Sequence, residues 1–191
     1  MCVGHDHTSC TPVKDVIVCD SQGAISMNRQ DIRDNPWKMK LAQMTNKSNL
    51  ATMDEALKGA DVFIGVSTGN VLKPEVVKTM AEKSIILAMA NPIPEIDPQL
   101  AKDAGAFIVG TGRSDLPNQV NNVLAYPGVF LGAIRARAPR ITEKMQLAAA
   151  HALASCIEQP SVDNILPSAL DKNVPQVIAK KVEEIYNKDN Q

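Results

Sequence analysis

Residues 111–128 read TGRSDLPNQVNNVLAYPG, and four of them, Asn118, Gln119, Asn121 and Asn122, carry side-chain amides. An amide donates and accepts hydrogen bonds without carrying charge. A cluster of amides therefore suits a ligand that offers carboxylate and carboxamide groups together. Gly110, Gly112, Pro117, Pro127 and Gly128 break the flanks, which puts the amides on a shaped loop rather than in a helix. A polar surface loop is the competing explanation, and what lies upstream decides between the two.

Upstream, strand and helix signals alternate. The β-branched run 16–18 reads as a buried strand ending in Cys19 and Asp20. A helix is expected over about 37–43. Thr52 and Glu55 have the spacing of a capping box, which opens a short helix through 56–58. The run DVFIGV (61–66) reads as a second buried strand, and Pro74 is suited to the first turn of a helix reaching residue 82. IILAMA (85–90) is continuously apolar, as a strand covered on both faces would be. Asp97 and Pro98 open a helix to Ala104, and 107–109 is a further strand. This alternation over residues 13–110 predicts an α/β fold with a doubly wound parallel sheet. Helices are expected beyond the loop at 128–138, at 142–157 with Thr142 as cap, and at 174–187. Residues 1–12 are expected to be a disordered terminus, and 13–191 one domain with a helical C-terminal part.

The bulk properties exclude several classes. A net charge of −1 gives no attraction to nucleic acid or to an anionic membrane. No apolar stretch approaches the length of a membrane span, and the start MCVGHDHTSC is not a secretory signal. Four cysteines spread over the chain form no disulfide framework, which suits a reducing cytoplasm.

In open α/β sheets ligands bind beyond the carboxyl ends of the strands. Here the successive strands end at Asp20, at Ser67-Thr68-Gly69-Asn70, at Asn91-Pro92-Ile93-Pro94, and at Gly110-Thr111-Gly112 with the amide loop. Small and amide residues at four strand ends would line one crevice. A carboxylate at the position of Asp20 accepts hydrogen bonds from a ribose diol in dinucleotide-binding units, and a turn or cap Asp is the alternative. A Gly-rich phosphate loop should precede that carboxylate by about 20 residues, yet Gly4 is the only glycine before Asp20. Either the ribose reading is wrong or the chain starts after that loop.

The segments CDSQGAI (19–25), TMDEALKGADVFIGVS (52–67), LAMANPIPEI (87–96) and residues 111–133, followed by DNILPSALDKNVPQVIAKKV (163–182), resemble the C-terminal half of bacterial-type malic enzymes in order and spacing. The resemblance covers roughly residues 13–187. It implies a Rossmann-like doubly wound sheet lacking its first strand, and an enzyme family that oxidises and decarboxylates malate to pyruvate with NAD or NADP and Mg²⁺ or Mn²⁺. By resemblance Asp20 would bind the adenine-side ribose, and Ser67, Thr68 and Gly69 would line the cofactor groove. Asn91 would approach the nicotinamide ribose and the substrate. Asn122 would bind the malate carboxylate, with Asn121 beside the nicotinamide carboxamide. The family's Tyr acid, Lys base and metal ligands have no counterparts here, so no catalytic residue is assigned and the chain alone is expected not to turn over malate. Without a first strand, the run 16–18 would pair with 62–66, with a partner chain, or with nothing.

Two other readings stand beside this one. The first is a non-catalytic module that binds nucleotide or associates with full-length subunits or with copies of itself. The second is another Rossmann dehydrogenase, against which the Asn-Pro-x-Pro and Asn-Gln-x-Asn-Asn motifs argue. Cys2, His5, His7 and Cys10 have ligand chemistry for zinc but no finger spacing. Cys19, His151 and Cys156 read as packing residues, and Arg135, Arg137, Arg140 and Lys144 as a solvated basic face.

Overall fold

The computed structural model describes residues 13–189. The expectations for residues 1–12, including the Cys2/His5/His7/Cys10 metal cluster, lie outside the described residues. The chain divides into two compact units, one running to Ala60 and including Thr79–Ala81, the other made of Asp61–Lys78 and everything from Glu82 onward.

In the first unit, β1 (Cys19–Asp20) and β2 (Gly23–Ala24) form a tight antiparallel hairpin. Helix α1 (Pro36–Met44) starts at Asn35, whose side chain accepts from the Trp37 and Lys38 N–H groups, with Pro36 supplying a preset first turn. Helix α2 (Met53–Leu57) carries the expected capping box, Thr52 accepting from the Glu55 N–H while Glu55 reaches back. Ile25, Ile32 and Ala42 form the core, with Val18, Met39 and Leu41 packed against it. Buried Asn46 stitches the irregular segment together. Its amide nitrogen donates to Ile25 O (3.0 Å) and Leu50 O (2.9 Å), and its oxygen accepts from the Leu50 N–H.

Among the described residues, the second unit is built on a three-stranded parallel sheet in the order β3 (Val62–Gly65), β4 (Ile85–Ala88), β5 (Ile108–Thr111). The crossovers carry α3 (Pro74–Val77) and α4 (Pro98–Asp103), the latter capped by Asp97, which accepts from Gln99 and Leu100. Phe63, Ile86 and Val109 are buried, whereas Val62 and Ile64, on the alternate face of β3, are exposed. A turn of 3-10 helix (Asn122–Leu124) leads into α5 (Tyr126–Arg135), followed by α6 (Glu143–Ser155) and α7 (Val174–Asp189). Their shared core is Val129, Ala133, Met145, Ala149, Ala152, Val174, Ile178 and Val182. Helices α5 and α7 approach closely because α5 presents two glycines. A β-carbon on Gly128 would lie 2.6 Å from Ile178 Cβ, and one on Gly132 would lie 2.6 Å from Ala179 O and 2.7 Å from Val182 Cβ.

This is the expected α/β architecture, with four local corrections. Strand β3 is buried on one face only, because Val62 and Ile64 are exposed on the other. Residues 16–18 are not a strand. The hairpin pairs 19–20 with 23–24, and Val18 is tied instead by the Ile25 N–H to its carbonyl (2.8 Å) and by packing in the Ile25 core. Helix α3 stops at Val77, because Gly59 N–H takes Thr79 O and Ala81 N–H takes Ala60 O, which removes the groups a longer helix would need. His151 sits on the exposed side of α6, not in its core.

Two outcomes are expected. Gly132→Ala pushes a methyl into the α7 backbone and lowers unfolding stability by about 1–3 kcal/mol, read from urea denaturation; an unchanged midpoint contradicts the close packing. In amide exchange, central-strand residues 85–88 exchange slowly while Ile17 and Val18 exchange fast; protection across 16–18 equal to that of β4 reinstates the strand.

Candidate functional site

The parallel strands of the second unit all point their carboxyl ends the same way, and the segments beyond those ends form a rim in which the turns after β3 and β4 are cross-bonded. Asn70 N–H donates to Pro94 O (3.0 Å) and Leu72 N–H to Glu95 O (2.9 Å), joining the turn after β3 to the turn after β4. The amide loop folds back onto β5 through a bridge between Thr111 and Gln119, with the Val120 N–H on Thr111 O at 2.7 Å. Gly112 lies between the other two segments: a β-carbon there would be 3.6 Å from Met89 O and 4.0 Å from Val120 O. Ser67, Thr68, Asn91, Asn121 and Asn122 are exposed on this rim, and Gly69 is half-buried in it. The expected site residues of the second unit thus all lie on segments that follow the carboxyl ends of its strands. Asp20 belongs to the first unit.

The amide cluster divides its labour. Asn118 is buried and structural. Its nitrogen donates to Val109 O (3.1 Å) and Val162 O (2.8 Å), and its oxygen accepts from the Ile165 N–H (2.9 Å), fastening the loop to β5 and to the segment around Ile165. Asn121 caps the 3-10 turn, its oxygen accepting from the Val123 N–H at 3.0 Å. The exposed Asn121 side chain keeps its amide nitrogen as a further donor. Asn122, the first residue of the turn, is exposed.

Glu95, which no motif singled out, underlies the rim. Its side chain is fully buried. One carboxyl oxygen accepts from the Ser67 N–H (2.8 Å) and hydroxyl (3.4 Å), the other from the Ala90 N–H (2.9 Å). The available signal was an acidic residue that ends the uncharged run from Ser84 to Pro94.

In the first unit, Asp20 is engaged on every side. Arg29 donates Nη1 to Oδ1 (2.7 Å) and Nη2 to Oδ2 (3.0 Å), Lys38 Nζ donates to Oδ2 (2.6 Å), and the Gln22 N–H to Oδ1 (2.9 Å). A carboxylate has about four lone-pair sites, so a ribose hydroxyl must displace a donor. Arg29 holds the Asp20 carboxyl well below the usual carboxylate range, with Lys38 and Gln22 adding to this and burial opposing it. Asp31 and then Asp20 push the Arg29 guanidinium further up. Burial, then Asp20, raises the Cys19 thiol, as befits a packing residue. Cys156 behaves alike, raised by burial, with its Sγ donating to Ala152 O at 3.3 Å. Arg135 bonds Gln176 and Lys144 pairs with Asp189, both exposed, as a solvated face requires.

Comparison with known proteins shows which family the chain belongs to. The family model described as "Malic enzyme, NAD binding domain" matches residues 3–186. The chain belongs to the malic enzyme NAD-binding domain family. It is similar to the bifunctional malic/malolactic enzyme of Bacillus subtilis, 47% identical over 89% of this chain and 42% of that protein. It is also similar to the NADP-dependent malic enzyme of Rhizobium meliloti, 45% identical over 80% of this chain and 20% of that protein. The crystal structure of the NAD-dependent malic enzyme from Thermotoga maritima matches with a TM-score of 0.84 at 47% identity, over 90% of this chain and 45% of that one. The chain spans about two fifths of the length of the first two curated relatives it matches. As a malic enzyme NAD-binding domain it has a Rossmann-like α/β fold, and its relatives include both NAD- and NADP-dependent enzymes. Among the described residues no helix is long and apolar enough to cross a membrane, and no group of three or more His, Cys, Asp and Glu side chains is placed to hold a metal ion.

The Asp20 ion pairs carry a pH signature. A carboxyl held down in the folded state stabilises fully above its unfolded value, about 3.9, and that contribution is lost as pH falls through the lower folded value. Asp20→Asn is therefore expected to unfold at lower urea than the parent at pH 6, with the gap narrowing at pH 3. A gap independent of pH would show that charge on Asp20 contributes nothing.

Proposed function

We propose that this chain is the cofactor-binding part of an enzyme that oxidatively decarboxylates malate to pyruvate with NAD or NADP. The supporting observation is the rim itself: exposed, uncharged hydroxyl and amide groups beyond the carboxyl ends of parallel strands, where such sheets bind ligands. The donor set suits a nicotinamide nucleotide, which when bound supplies the hydride acceptor.

In this reading Ser67, Thr68 and Gly69 line the nucleotide groove, and Asn91 faces the nicotinamide ribose and the substrate. The amide nitrogen of Asn121 donates to the nicotinamide carboxamide oxygen. Asn122 orients the malate carboxylate, and as a neutral amide it does so without competing for the reacting proton. Asp20 takes the adenine-side ribose by exchanging Lys38 for ribose hydroxyls. Residues 13–191 form the domain that carries these roles. The Mg²⁺ or Mn²⁺ of the family does not fit any ligand cluster among the described residues, so no step is derived through a metal, and proton transfer has no assigned residue here. Association with further subunits finds an apolar face on α5, where Tyr126, Phe130 and Ile134 are exposed at four-residue spacing and the Tyr126 and Phe130 rings stack at 5.8 Å. The Cys19 and Cys156 thiols are free, which accords with a reducing cytoplasm.

The test is NMR titration of the 191-residue chain with NAD and NADP, which resolves weak binding. Shifts are expected at the amides of Ser67, Asn91 and Asn121, and Asn121→Ala is expected to weaken binding roughly 5- to 10-fold, the worth of one hydrogen bond. Absence of shifts on the rim with both nucleotides overturns the reading. With malate and Mn²⁺ added the same chain is expected to yield no reduced cofactor, and robust turnover would show that the acid–base groups are present after all.

A further inference from the structure

The turns after β3 and β4 carry the groups assigned to the nucleotide, and where the ladder ends two of their N–H groups find no backbone partner. Met89 N–H still donates to Gly65 O at 3.0 Å, the last rung between the two strands. Beyond it the Ser67 and Ala90 N–H groups have no strand partner, and both turn to the same side chain, Glu95. That side chain is fully buried, and every donor that reaches it comes from one of these two strand ends. Space for it is made by Gly65, where a β-carbon would stand 2.6 and 2.7 Å from the two carboxyl oxygens. Glu95 therefore does not simply fill a cavity: one oxygen holds each turn, and the sequence makes room for that arrangement two residues before Ser67.

We propose that Glu95 is a positioning residue that couples the turn carrying Ser67, Thr68 and Gly69 to the turn carrying Asn91, so that both present their polar groups to a nucleotide in one fixed relation. The proposal rests on the cofactor-site reading above for its functional consequence, but the coupling itself is a property of the folded chain. A two-oxygen acceptor is essential to it. Glutamine has the same shape but a single acceptor oxygen, so in either orientation its NH₂ faces one of the two N–H donors. One turn must then let go. A side chain that merely fills the site would tolerate this isosteric change in everything except overall stability.

The experiment compares the parent chain with Glu95→Gln by amide exchange and by NMR titration with NAD and NADP, well below the unfolding temperature of both. The expected result is faster exchange confined to residues 67–70 and 89–91, together with nucleotide binding weakened roughly 5- to 10-fold. Equal local protection in both proteins, or a uniform loss across the whole second unit including α7, overturns the proposal. So does unchanged affinity in a variant whose parent binds. Should the parent bind neither nucleotide, the cofactor-site reading fails, while the exchange pattern still decides whether Glu95 couples the turns. Should Glu95→Gln fail to fold, Glu95→Asp keeps both oxygens but withdraws them by one methylene, and the same two readouts apply to it.

Discussion

A parallel ladder has to stop somewhere, and where it stops it leaves N–H groups that need partners. In this protein the ends of β3 and β4 solve the problem with one buried carboxyl group. Burying such a group is costly unless hydrogen bonds replace the water it loses, and the Ser67 and Ala90 amides are the replacements. Each side's deficit is the other's remedy. The backbone groups could not be satisfied by further strand without extending the sheet into the region where the turns must diverge. The carboxyl group could not be buried without donors aimed at it. The cis Asn91–Pro92 bond, the Asn70–Pro94 contact and the Leu72–Glu95 contact all lie within this closed circuit, and the exposed hydroxyls and amides of the rim stand on top of it.

The amide-rich loop shows the same economy from the other direction. Its three asparagines look equivalent in the sequence, but burial separates them. Asn118 uses its donors and acceptor to pin the loop between Val109, Val162 and Ile165. Asn121 spends its oxygen on the Val123 N–H and keeps its nitrogen. Asn122 is left exposed. An exposed polar group is dependable for binding only when something else fixes its backbone, and here Asn118 does so from three residues before Asn121.

Features that depend on neighbouring residues were legible in the sequence. The Thr52–Glu55 box, the Asp97-Pro98 helix start and the apolar runs of β3 and β4 each appear where local chemistry demanded. Features that depend on distant partners were not. The run 16–18 has strand composition, but Val18 packs on the core of Ile25, Ile32 and Ala42 rather than on a sheet. The helix at Pro74 ended early because Gly59 and Ala60, far back in the chain, claimed the Thr79 carbonyl and the Ala81 N–H. Glu95 was invisible for the same reason: a glutamate beside a proline reads as solvated turn until the strand ends that donate to it are in place. Motif order identified the family, while the residues beneath the motif needed coordinates.

Asp20 poses the sharpest physical question, because its four acceptor sites are already taken by Arg29, Lys38 and Gln22. Full occupancy does not disqualify it as a ribose ligand. The Arg29 fork is bidentate and its side chain only 13% exposed, whereas the Lys38 side chain is 35% exposed. An exposed pair of this kind contributes at most about 1 kcal/mol, since a released ammonium recovers its hydration. A ribose hydroxyl that donates to the vacated carboxylate site gains a charge-assisted bond of at least comparable worth. Exchange at Lys38 is thus close to neutral, while exchange at Arg29 would break two bonds at once and is unfavourable. In the proposed cofactor reading, Arg29 holds Asp20 in one orientation and Lys38 is the donor that a ribose diol replaces. The Arg29 fork, and not the Lys38 contact, is thus what fixes the Asp20 carboxylate in place.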